Sequence, residues 1–202
     1  MKNCLVVIDM QNDFISGSLG TDEAKKIVPN VKSFIEEAIK NGDDIYFTKD
    51  THYENYLNTM EGKKLPVKHC IKGTWGHDIC DELKPFEKNA KNIFIKETFG
   101  YKDLPIYLEN YDNITFVGLC TDICVVSNVM LIKTFFPEKN IIVKENCCAG
   151  VTIENHKDAI NVMKSCHIDI ILQLSQFIFY LAFTFYCFHP CFVARELALW
   201  LR

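Results

Sequence analysis

Short apolar runs rich in β-branched residues alternate with longer amphipathic segments over the first 171 residues of the chain. The runs predict strands near 4–8, 44–48, 92–95, 114–118, 140–144 and 168–171. The segments between them predict helices near 22–40, 103–109, 122–135 and 154–166. Strands that alternate with helices pair in parallel and are covered by the helices. The sequence therefore predicts an α/β fold, a three-layer doubly wound sheet of about six parallel strands flanked by helices.

One stretch joins a predicted strand directly to residues that cap helices. The run Ile114–Val117 is typical of a buried strand, Gly118 ends it, and Thr121 and Asp122 are helix-capping types. Cys124 then falls in the first turn of the predicted helix, where the helix dipole and unpaired N–H groups favour a thiolate. The stretch predicts either a nucleophile at Cys124 or a buried cysteine acting as a small hydrophobe.

Two further predicted strands end in charged residues. Asp9 follows the first strand and Lys96 follows the third. A carboxylate directly after a buried strand costs free energy unless it is paired or used. Because the carboxyl ends of parallel strands share one crevice, Asp9, Lys96 and Cys124 are candidates to converge there. Lys96 would then lower the pKa of Cys124 and Asp9 would transfer protons, although each residue also fits a surface position or a strand-end cap.

A polar segment after the second strand carries candidate metal ligands. Asp50 and His52 are two residues apart, so in an extended chain they point the same way. Glu61 and His69 follow within the same long excursion between strands, which covers residues 50–90. Imidazole and carboxylate donors suit zinc, iron or manganese. The other interpretation of this segment is a polar loop with scattered histidines.

On these residues the chain resembles the isochorismatase-like cysteine hydrolases, and within them the nicotinamidases, over roughly residues 3–171. The opening Val-Ile-Asp-Met-Gln-Asn-Asp-Phe around Asp9 is similar to the first strand of that family with its catalytic Asp. The stretch Ile-Lys-Glu-Thr-Phe-Gly around Lys96 is similar to the segment with the catalytic Lys. The most specific match is Val-Gly-Leu-Cys-Thr-Asp-Ile-Cys-Val, which resembles the nucleophile motif and places the nucleophile at Cys124.

The resemblance implies a Rossmann-like topology and a set of site residues. It implies a cis peptide between Leu119 and Cys120, with an oxyanion held by the backbone N–H groups of Cys120 and Cys124. It implies one divalent metal ion, zinc in the first place with iron or manganese as alternatives. The ligands it implies are Asp50, His52 and His69, with Glu61 bound directly or through water.

The substrate end of the site departs from the family pattern. The aromatic-Pro pair that often precedes the metal-binding His is replaced by Leu65-Pro66 and an extra residue, and the Ser-Ala-Phe after the catalytic Lys by Thr98-Phe99-Gly100. Both departures affect the substrate pocket more than the reaction. Phe14 is a candidate stacking wall for a flat ring, with a core aromatic as the alternative, and Trp75 is a weaker candidate.

The predicted function is hydrolysis of a small-molecule amide, with nicotinamide as the leading substrate and NAD salvage as the role. Other hydrolases of the same family, including those acting on ureido groups, remain open. Isochorismate-type vinyl ether hydrolysis is disfavoured because it does not need the metal residues. A third possibility is a non-catalytic thiol-redox or binding protein in which Cys120 and Cys124 form a redox pair.

Composition agrees with an intracellular enzyme. A chain of 202 residues, 49% hydrophobic and 24% charged, predicts one globular domain with a sizeable core. The formal charge of −4 gives no reason to expect a nucleic acid partner. Ten cysteines in such a chain indicate free thiols rather than a disulfide scaffold, and Met1 leads straight into a strand without a signal peptide. We expect a cytoplasmic location and a homo-oligomer.

The C-terminal residues 172–202 do not fit the domain predicted for residues 1–171. From Ile170 to Ala194, 25 residues pass without Asp, Glu, Lys or Arg. That length could span a bilayer, but polar residues and Pro190 interrupt it. Three interpretations remain: a membrane anchor, a helix packed on the domain or on a partner, and an aberrant translated extension. Membrane attachment is not the favoured one.

Overall fold

A computed structural model of the chain describes residues 1–172. The predicted C-terminal extension, apart from Leu172, lies outside the described residues, and so do the three interpretations of its apolar stretch. The residues Met1–Ile171 form one compact unit. Within residues 1–172, no helix combines the length and the apolar character that crossing a bilayer requires.

Six parallel strands form a single sheet, which confirms the predicted fold class. They are β1 (Asn3–Ile8), β2 (Asp44–Asp50), β3 (Ala90–Lys96), β4 (Asn113–Leu119), β5 (Asn140–Ala149) and β6 (Asp169–Ile171). Their order across the sheet is β3-β2-β1-β4-β5-β6. The chain therefore winds outward from β1 in both directions, and a crevice opens at the carboxyl ends of the central strands, where such folds bind ligands.

Helices cover both faces of the sheet. They are α1 (Asn12–Ile15), α2 (Asp22–Asn41), α3 (Met60–Lys64), α4 (Leu104–Leu108), α5 (Val126–Phe135) and α6 (Ile153–Ser165). Alternate residues of β1 point to opposite faces, as the pleat requires. Leu5 and Val7 belong to the core under α2, whereas Val6 and Ile8 belong to the core under α5 and α6. The two separate cores give the predicted three layers.

Two predicted boundaries change in the structure. The helix predicted at 122–135 is divided into a π-helical turn at Thr121–Val125 and α5, which begins at Val126. The strand predicted at 140–144 continues to Ala149, because Gly118 pairs with Cys148 after an irregularity in the β4–β5 register. The polar residues between Val143 and Cys147 concealed that continuation, since the sequence pattern relies on apolar runs.

The excursion between β2 and β3 is pinned to the carboxyl edge of the sheet. It contains α3 and three 3₁₀ turns, and two isolated bridges tie it down. One bridge joins His52 to Ile71 within the excursion, and the other joins Gln11, just after β1, to Ile79. The excursion therefore lies over the ends of β1 and β2, where Asp9 and Asp50 are found.

Candidate active site

Asp9, Lys96 and Cys124 meet at the carboxyl edge of the sheet, although they are far apart in sequence. The Lys96 ammonium lies 2.7 Å from Asp9 Oδ2 and 3.4 Å from Cys124 Sγ. All three residues are buried. The structure thus brings together a thiol, an ammonium and a carboxylate in one enclosed cluster, which we call the thiol cluster.

Strand ends hold the thiol cluster in place. Lys96 is the last residue of β3, and Asp9 directly follows β1 with a φ of 45°, a left-handed conformation that Asp tolerates better than most residues. The Thr48 hydroxyl on β2 donates to Asp9 Oδ1 at 2.6 Å. Gly118 on β4 must lack a side chain, because a Cβ there would meet the Ile8 carbonyl oxygen at 2.1 Å. This close approach lets the end of β4 deliver the cysteine beside Asp9.

The π-helical turn presents Cys124 to the cavity. The peptide bond between Leu119 and Cys120 is cis, at the position that the resemblance implies. The Cys120 carbonyl then accepts the N–H groups of Ile123 at 3.1 Å and Val125 at 3.0 Å. The sequence pattern predicted Cys124 in the first turn of an ordinary α-helix. Cys124 lies instead within the π-helical turn that precedes α5.

Burial decides the protonation of the thiol cluster. Desolvation raises the pKa of Cys124 well above its usual range, and Lys96 opposes this shift without overcoming it. The predicted effect of Lys96, which lowers the pKa of Cys124, is present, but desolvation is the larger effect and works against a resting thiolate. Burial also raises the pKa of Asp9, again against the pull of Lys96. Burial alone would lower the pKa of Lys96, but Asp9, Cys124 and Asp50 raise it well above its usual range.

A second group of polar residues lies beside the thiol cluster and could hold a metal ion. Asp50, His52 and His69 are all buried, and one ligand atom from each lies within 4.8 Å of the others. The Nδ1 atom of His69 is 2.8 Å from the Val67 carbonyl, so it carries the proton and leaves Nε2 as a donor to an ion. His52 Nε2 is buried and lies 2.9 Å from Asp50 Oδ2 without a well-aligned hydrogen bond. This close approach of two potential ligand atoms and the two-His, one-carboxylate donor set fit a divalent transition metal.

Glu61 lies at the rim of this metal group. Its Oε1 is 3.6 Å from His52 Nε2 and 3.7 Å from His69 Nε2. It is the second residue of α3 and is less buried than the three inner residues. That position fits the predicted role of a ligand bound directly or through water. Asp50 joins the two groups, since its Oδ1 is 3.2 Å from the Lys96 ammonium while Oδ2 is 2.9 Å from His52.

Both groups border one cavity of about 600 Å³. Its lining includes Cys120, Cys124, Asp50, His69, Glu61 and the ring of Phe14. The Phe14 ring centroid lies 5.6 Å from that of His69, so Phe14 forms a wall next to the metal group. Leu65, Thr98 and Phe99, where the sequence departs from the family pattern, also line the cavity. Trp75 does not: it is 55% exposed and borders a separate surface groove, so its suggested stacking role is wrong.

Three polar residues shortly after Asp9, to which the sequence pattern assigned no role, hold the excursion between β2 and β3 in place. Gln11 donates to the carbonyls of Asp50 and His77 at 2.9 Å and accepts the Asp50 N–H. Asn12 donates to the Trp75 carbonyl at 2.9 Å, and the Asp13 carboxylate accepts the Cys70 N–H at 2.7 Å. The run of amide and carboxylate side chains that follows Asp9 in the sequence could have indicated that these residues form such hydrogen bonds.

Two buried residues with no comparable sequence signal complete the frame. Tyr56 packs its ring 4.6 Å from His52 and 5.0 Å from His69, and its hydroxyl donates to the Leu65 carbonyl. Asn128 on α5 donates to the Cys124 carbonyl at 2.8 Å and accepts the Tyr101 N–H at 2.9 Å. Both residues fix loops through contacts that only the folded chain creates.

A parallel sheet with a polar crevice at its carboxyl edge places the chain among the α/β proteins that bind small molecules there. The family model described as the isochorismatase domain matches residues 3–173. The chain therefore belongs to the isochorismatase family of hydrolases, as the motifs around Asp9, Lys96 and Cys124 indicated.

Similar proteins of this family include enzymes with two different substrates. A nicotinamidase of Saccharomyces cerevisiae is 27% identical over 166 residues, which cover 60% of this chain and 76% of the yeast protein. A ureidoacrylate amidohydrolase of Acinetobacter baylyi is 25% identical over 195 residues, which cover 81% of this chain and 78% of that protein. The solved structure of a Pyrococcus horikoshii pyrazinamidase in complex with zinc is 25% identical, with a TM-score of 0.71 over 86% of this chain and all of that one (100%).

Proposed function

We propose that the protein is a metal-containing cysteine amidohydrolase that converts nicotinamide and water to nicotinic acid and ammonia. The observation that carries the proposal is the position of the Cys124 thiol, which borders the same cavity as the Asp50, His52 and His69 group. In the proposed complex the carboxamide lies at the thiol and the ring nitrogen faces the metal group, both of which border this cavity. The similarity to a nicotinamidase supports this substrate.

In the first half of the proposed reaction, Cys124 Sγ attacks the carboxamide carbon and a C–S bond forms. Because the resting thiol is neutral, its proton passes to Asp9 as the attack proceeds. Asp9 is suited to this transfer, since its buried Oδ2 is ion-paired with Lys96 but is not aligned for a hydrogen bond. Lys96, 3.4 Å from the sulfur, stabilises the negative charge that develops there.

The C–N bond then breaks, and Asp9 gives the proton to the departing nitrogen, which leaves as ammonia. A thioester on Cys124 remains. In the second half, water attacks the thioester and Asp9 takes one of its protons. The C–S bond breaks, the acid is released, and Cys124 regains its proton from Asp9. The two half-reactions consume one water and return every residue to its starting state.

The negative oxygen formed in each half-reaction needs hydrogen-bond donors at the start of the π-helical turn. We assign this role to the backbone N–H groups of Cys120, just before the turn, and of Cys124, within it. Fixed N–H donors in a water-excluding site commonly contribute about 10²–10³-fold each to the rate.

Substrate orientation falls to the metal group and the aromatic wall. A divalent ion held by Asp50, His52 and His69, with Glu61 directly or through water, would supply Lewis-acid binding of the pyridine nitrogen. Zinc is the leading ion because two imidazoles and one carboxylate are a common catalytic zinc set. Phe14 lies against His69 and would stack on the flat ring.

Hydrolysis of a ureido substrate is the second candidate. The ureidoacrylate amidohydrolase matches a larger share of this chain than the yeast nicotinamidase does, 81% against 60%. The cavity wall also differs from the nicotinamidase pattern at Leu65, Thr98 and Phe99. The thiol cluster serves both reactions, so the two substrates differ only in what the cavity must hold.

The decisive test is ammonia release from nicotinamide, pyrazinamide and ureidoacrylate with zinc-loaded protein. We expect nicotinamide to be the best substrate, and Cys124→Ala to lose at least about 10⁴-fold in kcat. Cys120→Ala is the matched control, since it removes a thiol from the same turn but keeps the backbone, and we expect it to retain most activity. Preference for ureidoacrylate would transfer the assignment to the second candidate. Full activity of Cys124→Ala would refute both.

A further inference from the structure

A partly buried histidine outside the site contacts the turn that carries Cys124. Thr121 is the first residue of that turn and is fully buried. Its hydroxyl lies 2.8 Å from Nδ1 of His156, which projects from α6. Neither side chain belongs to the thiol cluster or to the metal group, and neither lines the cavity. The bond therefore connects the start of the π-helical turn to α6.

The next residue of the turn is held by the same segment. The Asp122 carboxylate accepts the Val151 N–H at 3.0 Å and an N–H of the Asn155 side chain at 3.1 Å. Gly150 permits this approach, because a Cβ there would lie 2.8 Å from the backbone nitrogen of His156 and 2.9 Å from Asp122 Oδ1. The start of α6 and the loop before it are thus fitted closely against the first two residues of the turn.

One hydrogen bond, from Nδ1 to Thr121, and one nearby charge set the environment of the His156 ring. Its Nε2 lies 4.0 Å from Glu145 Oε1 on β5, which is too long for a hydrogen bond but close enough for electrostatic attraction. Burial lowers the pKa of His156, against the opposing effect of Glu145 and Asp122, so the ring is neutral at neutral pH. In that state one nitrogen carries the proton. With the proton on Nε2, towards the Glu145 carboxylate, Nδ1 accepts the hydrogen bond from Thr121.

The position of the turn matters because it carries the groups that must be aimed at the substrate. The N–H groups of Cys120 and Cys124 and the thiol of Cys124 all lie within three residues of Thr121. A small rotation of the turn would misdirect the attacking sulfur and the oxyanion donors together. A displacement of about 1 Å at a reacting group can cost about 100-fold in rate.

We propose that His156 is a positioning residue, which fixes the aim of the Cys124 thiol and of the oxyanion donors through its hydrogen bond to Thr121. The inference rests on the proposed cysteine hydrolase function. His156 touches no reacting atom, so its effect belongs to the alignment of the turn. We expect substrate binding at the metal group to be unchanged, because neither His156 nor Thr121 lines the cavity.

The test compares three variants of the full-length chain. His156→Ala should lower kcat for the best amide substrate by about 10- to 100-fold, with KM within about twofold of the original. His156→Asn places a polar atom at the same number of bonds from the backbone as Nδ1 and should restore most of the rate. His156→Gln, whose polar atoms lie one bond further out, should not. His167→Ala changes an exposed histidine just beyond α6 and is the neutral control.

A double-variant cycle locates the effect at Thr121. Thr121→Val should match His156→Ala, and the two together should cost no more than either alone, because both remove one bond. Thr121→Ser keeps the hydroxyl and should stay active. Additive losses, or a full rate in a well-folded His156→Ala, would overturn the proposal.

Hydrogen exchange of the segment 121–125 gives a readout that does not depend on activity. We expect faster exchange in His156→Ala and exchange like the original in His156→Asn. If no amide is hydrolysed by the original protein, the proposed function fails, while exchange still decides whether His156 orders the turn. If the original is active and the exchange of the variants is unchanged, only the positioning role fails.

Discussion

Two lysine–aspartate pairs lie at opposite edges of the same sheet. One stabilises the sheet, and the other belongs to the candidate active site. Lys91 and Lys96 both lie on β3, near its start and at its end. Lys91 pairs with Asp44, the first residue of β2, at 2.7 Å, and Lys96 pairs with Asp9, just after β1, at the same 2.7 Å. The side chains of the first pair are 48% and 32% exposed, whereas those of the second are 0% exposed.

The pair at the amino edge is fully satisfied. Asp44 accepts hydrogen bonds from Lys91 and from the Tyr111 hydroxyl, and that hydroxyl lies 2.8 Å from the hydroxyl of Tyr46. Lys2 adds a further ammonium 3.8 Å from Asp44. These bonds join the starts of three strands, so this amino-edge cluster stabilises the sheet.

The carboxyl edge holds buried polar atoms in close ionic contacts. Asp9 Oδ2 lies 2.7 Å from the Lys96 ammonium and His52 Nε2 lies 2.9 Å from Asp50 Oδ2, and neither atom has a well-aligned hydrogen bond within the described part of the chain. Such atoms cost free energy unless a ligand or a reaction uses them. The comparison teaches that a lysine–aspartate pair by itself does not mark an active site. Complete burial, an adjacent thiol and buried polar atoms without a well-aligned hydrogen bond do.

The most direct test of this comparison is to make the same aspartate-to-asparagine substitution in both lysine–aspartate pairs. Asp9→Asn should lower kcat by about 10²–10⁴-fold, because the proton carrier is lost while the shape is kept. Asp44→Asn should leave kcat within about twofold, since Asp44 lies at the other edge and a surface change there affects stability at most slightly. Steady-state ammonia release measures both, with circular dichroism as the check on folding. Equal losses would show that the pairs are not functionally distinct.

His52 and His77 provide a second contrast, between two buried histidines. His52 Nε2 faces the carboxylates of Asp50 and Glu61 in the metal group, whereas His77 Nε2 lies 2.9 Å from the Thr51 hydroxyl and is outside that group. His52→Ala should reduce the metal content of the purified protein from about one ion per chain to near zero and should raise KM, because one of three inner ligands is lost. His77→Asn should retain the ion. Elemental analysis measures the content, and an unchanged value in a His52→Ala, His69→Ala double variant would rule the site out.

A third contrast concerns the charge near the thiol. Removing an ammonium at 3.4 Å from Cys124 should raise the thiol pKa further, because Lys96 is the nearby charge that lowers it. In Lys96→Met, alkylation of Cys124 by iodoacetamide should therefore begin at higher pH than in the original protein. Lys91→Met should not move the profile. Mass spectrometry of the Cys124 peptide after timed labelling at each pH measures the effect, and a profile that stays in place would contradict the contact.

The smallest expected effect is on acid stability at the amino edge. Burial favours the neutral form of Asp44, but its bonds to Lys91 and Tyr111 outweigh this and lower its pKa in the folded state. A lowered carboxyl pKa contributes stability above the unfolded value of about 3.9, and this is lost as pH falls through the folded value. Asp44→Asn should thus lose about 1 kcal/mol or less at pH 7, with the deficit vanishing in acid.

Urea unfolding at neutral pH and near pH 3 measures that difference. Asp158→Asn, which removes an exposed carboxylate on α6, is the control for the change in net charge. A deficit of the same size at both pH values would show that Asp44 acts by packing and not by its charge.

Sequence alone was sufficient for the sheet and for much of the candidate site. Strand runs and helical segments repeat along the chain with a local period, so the six parallel strands could be predicted before any contact was known. Asp9 and Lys96 were found because each follows an apolar strand, and parallel strands bring their carboxyl ends to one edge. Cys124, Asp50, His52 and His69 depended on local spacing and on the resemblance to a known family.

The tertiary structure decided the properties that depend on contacts between residues distant in sequence. The Cys124 thiol is neutral because the fold buries it, and no local pattern reports the loss of solvent. The π-helical turn, the grip of His156 on Thr121 and the loop held by Gln11 all depend on close approaches between separate elements. The sequence singles out Lys96 by its place after an apolar strand and gives Lys91 no comparable mark. Burial and the neighbours supplied by other strands then decide what each lysine contacts: Asp44 for Lys91, and Asp9 and Cys124 for Lys96.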